Sequence, residues 1–373
     1  MANHLSATSS SDVLVRLIAT AALVGAVHLP AAAENPSRGF VDPLDVPAVA
    51  VSAAAPTKPM MATARAGERL VAVGMRGVIV LSDDGGRSWR QAASPVQSDL
   101  TAVTFRGAQR GWIVGHDGVI LATMDAGSTW TRQLDGRLAA RQFVAHYQAQ
   151  VDAGRQELQK LLRELERNYQ RGPALPFLDI AFDDERRGFA VGPFGMMAAT
   201  TDGGRTWLPA MELVDNPDLL SLYAARKIGR ELYFAGERGM VYRLDRTLGR
   251  FVRLPTGYSG SLFGIVGNDR VLVAYGLRGT VAVSTDGGAN WKIATLPVPA
   301  GLVGADVLAD GRVVLASITG MLWLGGADGD GFKPLPMEYG APATTVLSIA
   351  SDAVLVGGLR GVAVQHLPEP ARR

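Results

Sequence analysis

No cysteine occurs anywhere in the 373-residue chain. That absence excludes disulfides, cysteine-ligated metals, thiol nucleophiles and a lipid-modified cysteine anchor. Histidine is nearly as scarce, and His116, His146 and His366 stand in separate segments without metal-ligand spacing. No glycine-rich run carries the lysine of a phosphate cradle. Asp328-Gly329-Asp330 lacks the later ligands of a calcium loop. Neither a metal nor a cofactor is expected. Charge of one sign is also missing: 37 Lys and Arg face 35 Asp and Glu, a net +2, so nothing draws the whole chain toward nucleic acid or acidic lipid. The one long apolar run, Leu17–Leu29, follows Arg16 and precedes Ala31-Ala32-Ala33. Residues 1–33 therefore read as an export signal, with an uncleaved N-terminal anchor as the alternative. The expected location is the periplasm, or the thylakoid lumen in a photosynthetic host.

What the chain has in excess is glycine, 44 residues. Much of it recurs in order. Gly-x-x-Gly follows a β-rich run at Gly74–Gly77, Gly115–Gly118, Gly192–Gly195, Gly236–Gly239, Gly276–Gly279 and Gly358–Gly361, with a Ser317–Gly320 variant. The steps between first positions are 41, 77, 44, 40, 41 and 41 residues. A period near 41 is four short strands and their turns, one propeller blade. Seven copies predict an all-β, seven-bladed propeller. The step of 77 locates the single large insertion, between blades two and three.

A second repeat runs in phase with the first. Ser82-x-Asp84-Gly85-Gly86-x-Ser88-Trp89 returns around Asp125 and Trp130, Asp202 and Trp207, and Asp286 and Trp291. Decayed copies run from Asp245 to Phe251 and from Asp328 to Phe332. The spacing suits the turn between third and fourth strands. The carboxylate accepts hydrogen bonds from its own loop, glycine supplies positive φ, and tryptophan wedges between blades. A residue needed once per active site would not recur in blade after blade, so these Asp boxes are read as structural.

Asp boxes joined to Gly-Trp-Ile-Val-Gly-x-x-Gly-x-Ile (Gly111 to Ile120) and Gly-Phe-Ala-Val-Gly-x-x-Gly (Gly188 to Gly195) resemble the Ycf48/HCF136 family of photosystem II stability and assembly factors. The resemblance covers roughly residues 56–367. It implies a non-catalytic propeller on the outer side of a membrane that chaperones or scaffolds a membrane complex. In a host without photosynthesis, the client would be an envelope transporter or similar machine. Asp boxes also occur in sialidases, so a glycan-binding or glycan-hydrolysing propeller is the alternative. Resemblance to sialidases implies an Arg-Ile-Pro signature. The nearest string, Val252-Arg253-Leu254-Pro255, better fits an outer strand, and no carboxylate pair suits hydrolysis. Trp112, Trp323 and Tyr339 are the candidate stacking faces for a glycan.

The periods divide residues 59–367 into blades at about 59–94, 95–135, 174–214, 215–256, 257–298, 299–337 and 338–367. Residues 136–173 are the insertion and residues 34–58 a proline-rich linker. The last unit has only three strand-like runs, so Val46–Ala53 is expected to supply its fourth strand and close the ring.

Two features should share one surface, the face of the Gly-x-x-Gly turns. Arg76, Arg238, Arg278 and Arg360 each precede the second glycine, an arc suited to a carboxylate-bearing segment or anionic head group. His116 beside Asp117 adds a pH-sensitive contact there. The insertion from Arg137 to Arg171 carries Phe143, Tyr147, Val151, Leu158, Leu161, Leu162, Leu165 and Tyr169 at helical spacing. As one long helix it would present part of that stripe, notably Phe143, Tyr147, Leu158 and Leu162, to a partner or membrane. Broken at Gly154, it would be a hairpin burying its own stripe. The expected partner is a membrane protein complex, not nucleic acid.

Overall fold

The computed structural model describes residues 41–170, 172, 174–336 and 340–368, so the signal assigned to residues 1–33 lies outside it. Among the described residues twenty-seven strands form seven antiparallel meanders. The first is β1 (Met60–Ala66), β2 (Arg69–Gly74), β3 (Ile79–Ser82) and β4 (Arg90–Ala92); the second is β5 (Leu100–Arg106), β6 (Arg110–Gly115), β7 (Ile120–Thr123) and β8 (Thr131–Leu134). After two helices the third is β9 (Asp179–Phe182), β10 (Gly188–Val191), β11 (Met197–Thr200) and β12 (Leu208–Pro209). The fourth is β13 (Leu222–Ile228), β14 (Glu231–Gly236), β15 (Met240–Asp245) and β16 (Arg250–Pro255), and the fifth β17 (Leu262–Gly267), β18 (Leu272–Gly276), β19 (Thr280–Ser284) and β20 (Lys292–Thr295). The sixth is β21 (Leu302–Val307), β22 (Val313–Ser317), β23 (Leu322–Gly325) and β24 (Lys333–Leu335); the seventh has only β25 (Ala343–Ala350), β26 (Ala353–Gly358) and β27 (Gly361–His366).

First strands pack on first strands all the way round, β25 against β1 included, so the sheets form a closed seven-bladed propeller. Burial follows position in the blade. Second and third strands are covered on both faces by neighbouring blades, and runs such as Leu70–Val73 and Ile79–Leu81 are accordingly apolar throughout. Outer strands such as β20 are largely exposed. Trp112 stacks on Phe182 across the second and third blades at 3.5 Å, and its indole N–H donates to the Gly203 carbonyl. Trp112 and Trp323 are each 2% exposed, so neither offers a stacking face to a glycan; Tyr339 lies outside the described residues.

The ring closes differently from the expectation. Val46–Ala53 forms no strand, and the seventh sheet keeps three. Instead Ala48 N–H donates to the Ser94 carbonyl and Gln91 brackets the same segment, donating to the Val49 carbonyl and accepting from Val51 N–H. The segment thus lines the outer edge of the first blade. A 3-10 helix, Ser52–Thr57, then crosses to the start of β27, where Pro56 O abuts Gly361. Closure itself is made by the inner strands: Thr344 Oγ1 donates to the Met60 carbonyl at 2.6 Å, Thr63 and Thr345 share a 3.0 Å hydroxyl bond, and Arg65 donates to the Ile349 carbonyl. Pro47, within the expected strand, removes a ladder donor and fixes φ, and the 3-10 helix from Ser52 takes the end of the segment.

The insertion is a hairpin. Helix α1 (Gly136–Asp152) starts at Asp135, whose carboxylate accepts from Leu138 N–H, and ends before Gly154 at φ +100°. Helix α2 (Gln159–Tyr169) returns alongside it.

Candidate partner-binding face

Each Gly-x-x-Gly turn joins the second and third strands of a blade, on the face that also receives the blade-to-blade links. The first turn shows why glycine brackets it. A Cβ on Gly74 would lie 2.1 Å from the Pro59 carbonyl of the entering link, and one on Gly77, at φ +73°, 2.0 Å from the Val96 carbonyl of the leaving link. Between them Met75 N–H donates to Pro59 O at 3.1 Å. In five of the seven turns, though not at Thr319 or Arg360, the residue before the second glycine takes the left-handed conformation, with φ of 55° at Arg76, 57° at Asp117, 56° at Phe194, 52° at Arg238 and 58° at Arg278. Non-glycine residues rarely adopt it, so the tight link packing holds them there.

All four arginines of this set are exposed at the turn tips. They are not equivalent. Arg238 faces Asp218 at 3.6 Å, a partner from the preceding link that its sequence neighbourhood did not suggest. Glu237, the residue beside it, is committed elsewhere, accepting from Ser221 N–H and Tyr223 OH. Arg76 is positioned by its own backbone N–H, which donates to Asp99 Oδ1 at 2.7 Å. His116 is exposed in the second blade's turn, while Asp117 accepts from Ser98 Oγ at 2.7 Å.

The apolar stripe of the insertion is not part of this face. Phe143 and Tyr147 are fully buried, and Leu158 and Leu162 nearly so, against Phe177, Met196, Trp207 and Met211 of the third blade. These four residues are therefore corrected from partner contacts to core. The reason is the break at Gly154: two short helices can fold onto one blade and cover their stripe, which a single long rod could not.

One set of residues escaped the sequence reading. In six of the seven blades the inner strand carries a bulge at its second residue: Met61, Thr101, Tyr223, Phe263, Val303 and Thr344. A bulge re-aims the side chain of the extra residue. All six line the central channel, a cavity of about 460 Å³, at the end nearest the Gly-x-x-Gly turns. Tyr223 and Phe263 meet edge to face at 5.5 Å. No sequence period signals a bulge, because strand pairing defines it. Further along the channel, Asp179 accepts N–H bonds from Ile180 and Ala225 and pairs with Arg226, joining blades three and four. Asp306 joins blades six and seven in the same way, accepting from Ser348 N–H at 2.7 Å.

The opposite face holds the Asp boxes, and all four use one geometry. Asp84 Oδ1 accepts from Ser88 N–H and Ser82 Oγ, and Oδ2 from Ser88 Oγ; Asp125, Asp202 and Asp286 repeat the pattern. These bonds hold the carboxyls of Asp84, Asp125 and Asp286 down at about 2. The indole N–H of Trp89, Trp130 and Trp291 donates back to Gly86, Gly127 and Gly288; Trp207 donates to Gln133 of the preceding blade. Every box oxygen named is occupied within its own loop. Among the described residues no group of three or more His, Asp or Glu side chains could hold a metal ion.

Comparison with known proteins agrees with this architecture. Residues 62–146 match the family described as Photosynthesis system II assembly factor YCF48. A solved structure described as YCF48 bound to D1 peptide superposes with a TM-score of 0.61 at 17% identity, over 84% of this chain and 94% of that one. YCF48 from Cyanidioschyzon merolae gives 0.60 at 15% identity, over 84% and 97%. No curated protein is significantly similar in sequence. Residues 62–146 thus carry that family's sequence pattern, and the whole ring has the fold of those two structures, an Asp-box propeller of seven blades.

Proposed function

We propose that this protein acts by binding: it engages a segment of a membrane protein and so assists assembly or stability of a membrane complex. One observation carries the reading. The Gly-x-x-Gly face combines exposed arginines at Arg76, Arg278 and Arg360 with a channel mouth where the apolar side chains of Met61, Phe263 and Val303 stand beside Thr101, Tyr223 and Thr344. Guanidinium forks pair with carboxylates, and a mouth of mixed apolar and hydroxyl side chains accepts one anchoring side chain, so a peptide with acidic and apolar residues fits both. That a similar propeller is known with a bound D1 peptide supports the same mode of use. His116 and Arg238 flank the site in this reading. Work on the exported side of a membrane is part of the same proposal and rests on the export signal read in residues 1–33. An assembly client is favoured over a glycan because the two tryptophans proposed for stacking are buried.

The test is crosslinking in cells from a photoreactive residue placed at Phe263 or Arg278. An integral membrane protein crosslinked through an acidic segment is the expected product. Crosslinks to soluble proteins only, or none, would overturn the reading.

A further inference from the structure

Five of the twelve exposed large apolar side chains among the described residues, Met75, Phe194, Leu277, Ile318 and Leu359, sit on this one set of turns. Four of them, Leu277, Ile318, Leu359 and Met75, occupy the same turn position in blades five, six, seven and one, which are consecutive around the closed ring. They are 39%, 55%, 52% and 40% exposed. In three of the four the next residue is an arginine: Arg278, Arg360 and Arg76.

The fold does not require apolar residues there. The backbone N–H at that position makes the turn's contact, donating to Ser261, Gly301, Pro342 and Pro59 carbonyls at 2.8–3.1 Å. The same position holds His116 in blade two and Glu237 in blade four. Charge divides the face in the same way. In the arc, the described turns and entry links (58–59, 75–76, 256–261, 277–278, 296–301, 318–319, 340–342 and 359–360) contain Lys58, Arg76, Arg278 and Arg360 and no acidic residue. Glu338 falls in the same links, outside the described residues. Blades two to four and their entry links carry Asp99, Asp117, Glu212, Asp215, Asp218 and Glu237 instead, with Asp99 at the border, where it accepts the Arg76 N–H.

We propose that this arc docks on an anionic lipid bilayer, with the four apolar tips entering the interface and the arginines meeting head-group phosphates. Turn tips on one face of a ring reach a flat surface together, whereas a peptide needs concavity. None of the four tips lines the central channel or the other clefts described by the fold. Apolar insertion and cationic attraction are each weak alone, and together they give stable peripheral attachment. Attachment would bring the channel mouth to a client embedded in the same membrane; it shares Arg76, Arg278 and Arg360 with the client reading, whereas the four apolar tips belong to the bilayer contact alone.

Vesicle flotation tests it, with phosphatidylcholine alone and with equimolar phosphatidylglycerol. The exported protein should float with the anionic vesicles, and the combined Met75→Ser, Leu277→Ser, Ile318→Ser and Leu359→Ser variant should bind about tenfold more weakly. An unchanged melting temperature would show that the exposed substitutions leave the fold intact. Equal binding by the variant, or equal binding to neutral vesicles, would overturn the proposal. So would capture of a soluble acidic peptide by the same four tips without vesicle binding. The variant should still be crosslinked to its client in detergent, so failure at the bilayer is distinguishable from failure of the client reading.

Discussion

Tyr147 on α1 donates a 2.5 Å hydrogen bond to Glu212 Oε2 beside the third blade, and its oxygen accepts the Met211 N–H at 2.9 Å. Burial, reinforced by the adjacent carboxylate, pushes the phenol well above its ordinary range, so it stays a donor at every physiological pH. One hydroxyl thereby latches the helical hairpin to the propeller. Tyr147→Phe should lower stability by about 1–3 kcal/mol, because it leaves the buried Met211 N–H without its acceptor. Denaturant unfolding would measure this, and no loss would reduce the latch to incidental contact.

Gly77 and Gly85 share nearly the same backbone, φ +73° and +72°, but not the same surroundings. A Cβ at Gly77 would meet the Val96 carbonyl at 2.0 Å, whereas nothing lies within 4 Å of one at Gly85. Gly85→Ala should therefore cost about 1 kcal/mol of backbone strain. Gly77→Ala adds a backbone clash and should lose several-fold more, or fail to fold. Equal losses would mean that conformation alone selects these glycines.

The Asp boxes predict the acid limb of stability. Their carboxyls titrate near 2 in the folded protein against 3.8 when unperturbed. A depressed folded value contributes stability that is complete above the unfolded value and is lost as pH falls toward the folded one. The melting temperature should thus hold down to about pH 4 and then decline toward pH 2. Asp84→Asn with Asp286→Asn should start lower and decline less steeply. Parallel curves for wild type and variant would assign the acid limb elsewhere, Asp183 with Lys227 and Arg246 being the next group held low.

Reversing charge at Arg76, Arg278 and Arg360 together should abolish client capture without loosening the fold, because all three are exposed turn residues. Arg238→Glu alone should do less, since Asp218 already offsets its charge. Unchanged capture by a folded triple variant would remove the arginines from the binding face. Deleting residues 137–171 is a different experiment: it uncovers Phe177, Met196 and Met211, so a lower melting temperature is expected before any functional loss.

Much of this was legible from one dimension. Blade number, the place of the insertion and the face each turn occupies are consequences of period and connectivity, which a repeat states directly. The Asp boxes were legible as structure because their bonds are local, running from residue i to i+4 or closer. The tightness that demands Gly74 and Gly77 was visible only as their recurrence, since the carbonyls they make room for belong to distant links.

Where the reading failed, the deciding contact was remote in sequence. Val46–Ala53 looked like a strand in search of a sheet, but Pro47 and the pull of Gln91 and Ser94 laid it along the first blade. The helical stripe was visible, yet whether it faced a partner or its own protein turned on Tyr147 finding Glu212, 65 residues on. The channel mouth had no signal at all, because a bulge exists only relative to the strand it pairs with. Sequence alone determined the repeat, the fold and the charge of the turn tips, since these depend on local spacing and residue type. Tertiary structure decided which apolar groups are left to meet another surface, because exposure is what remains after every distant segment has taken its place.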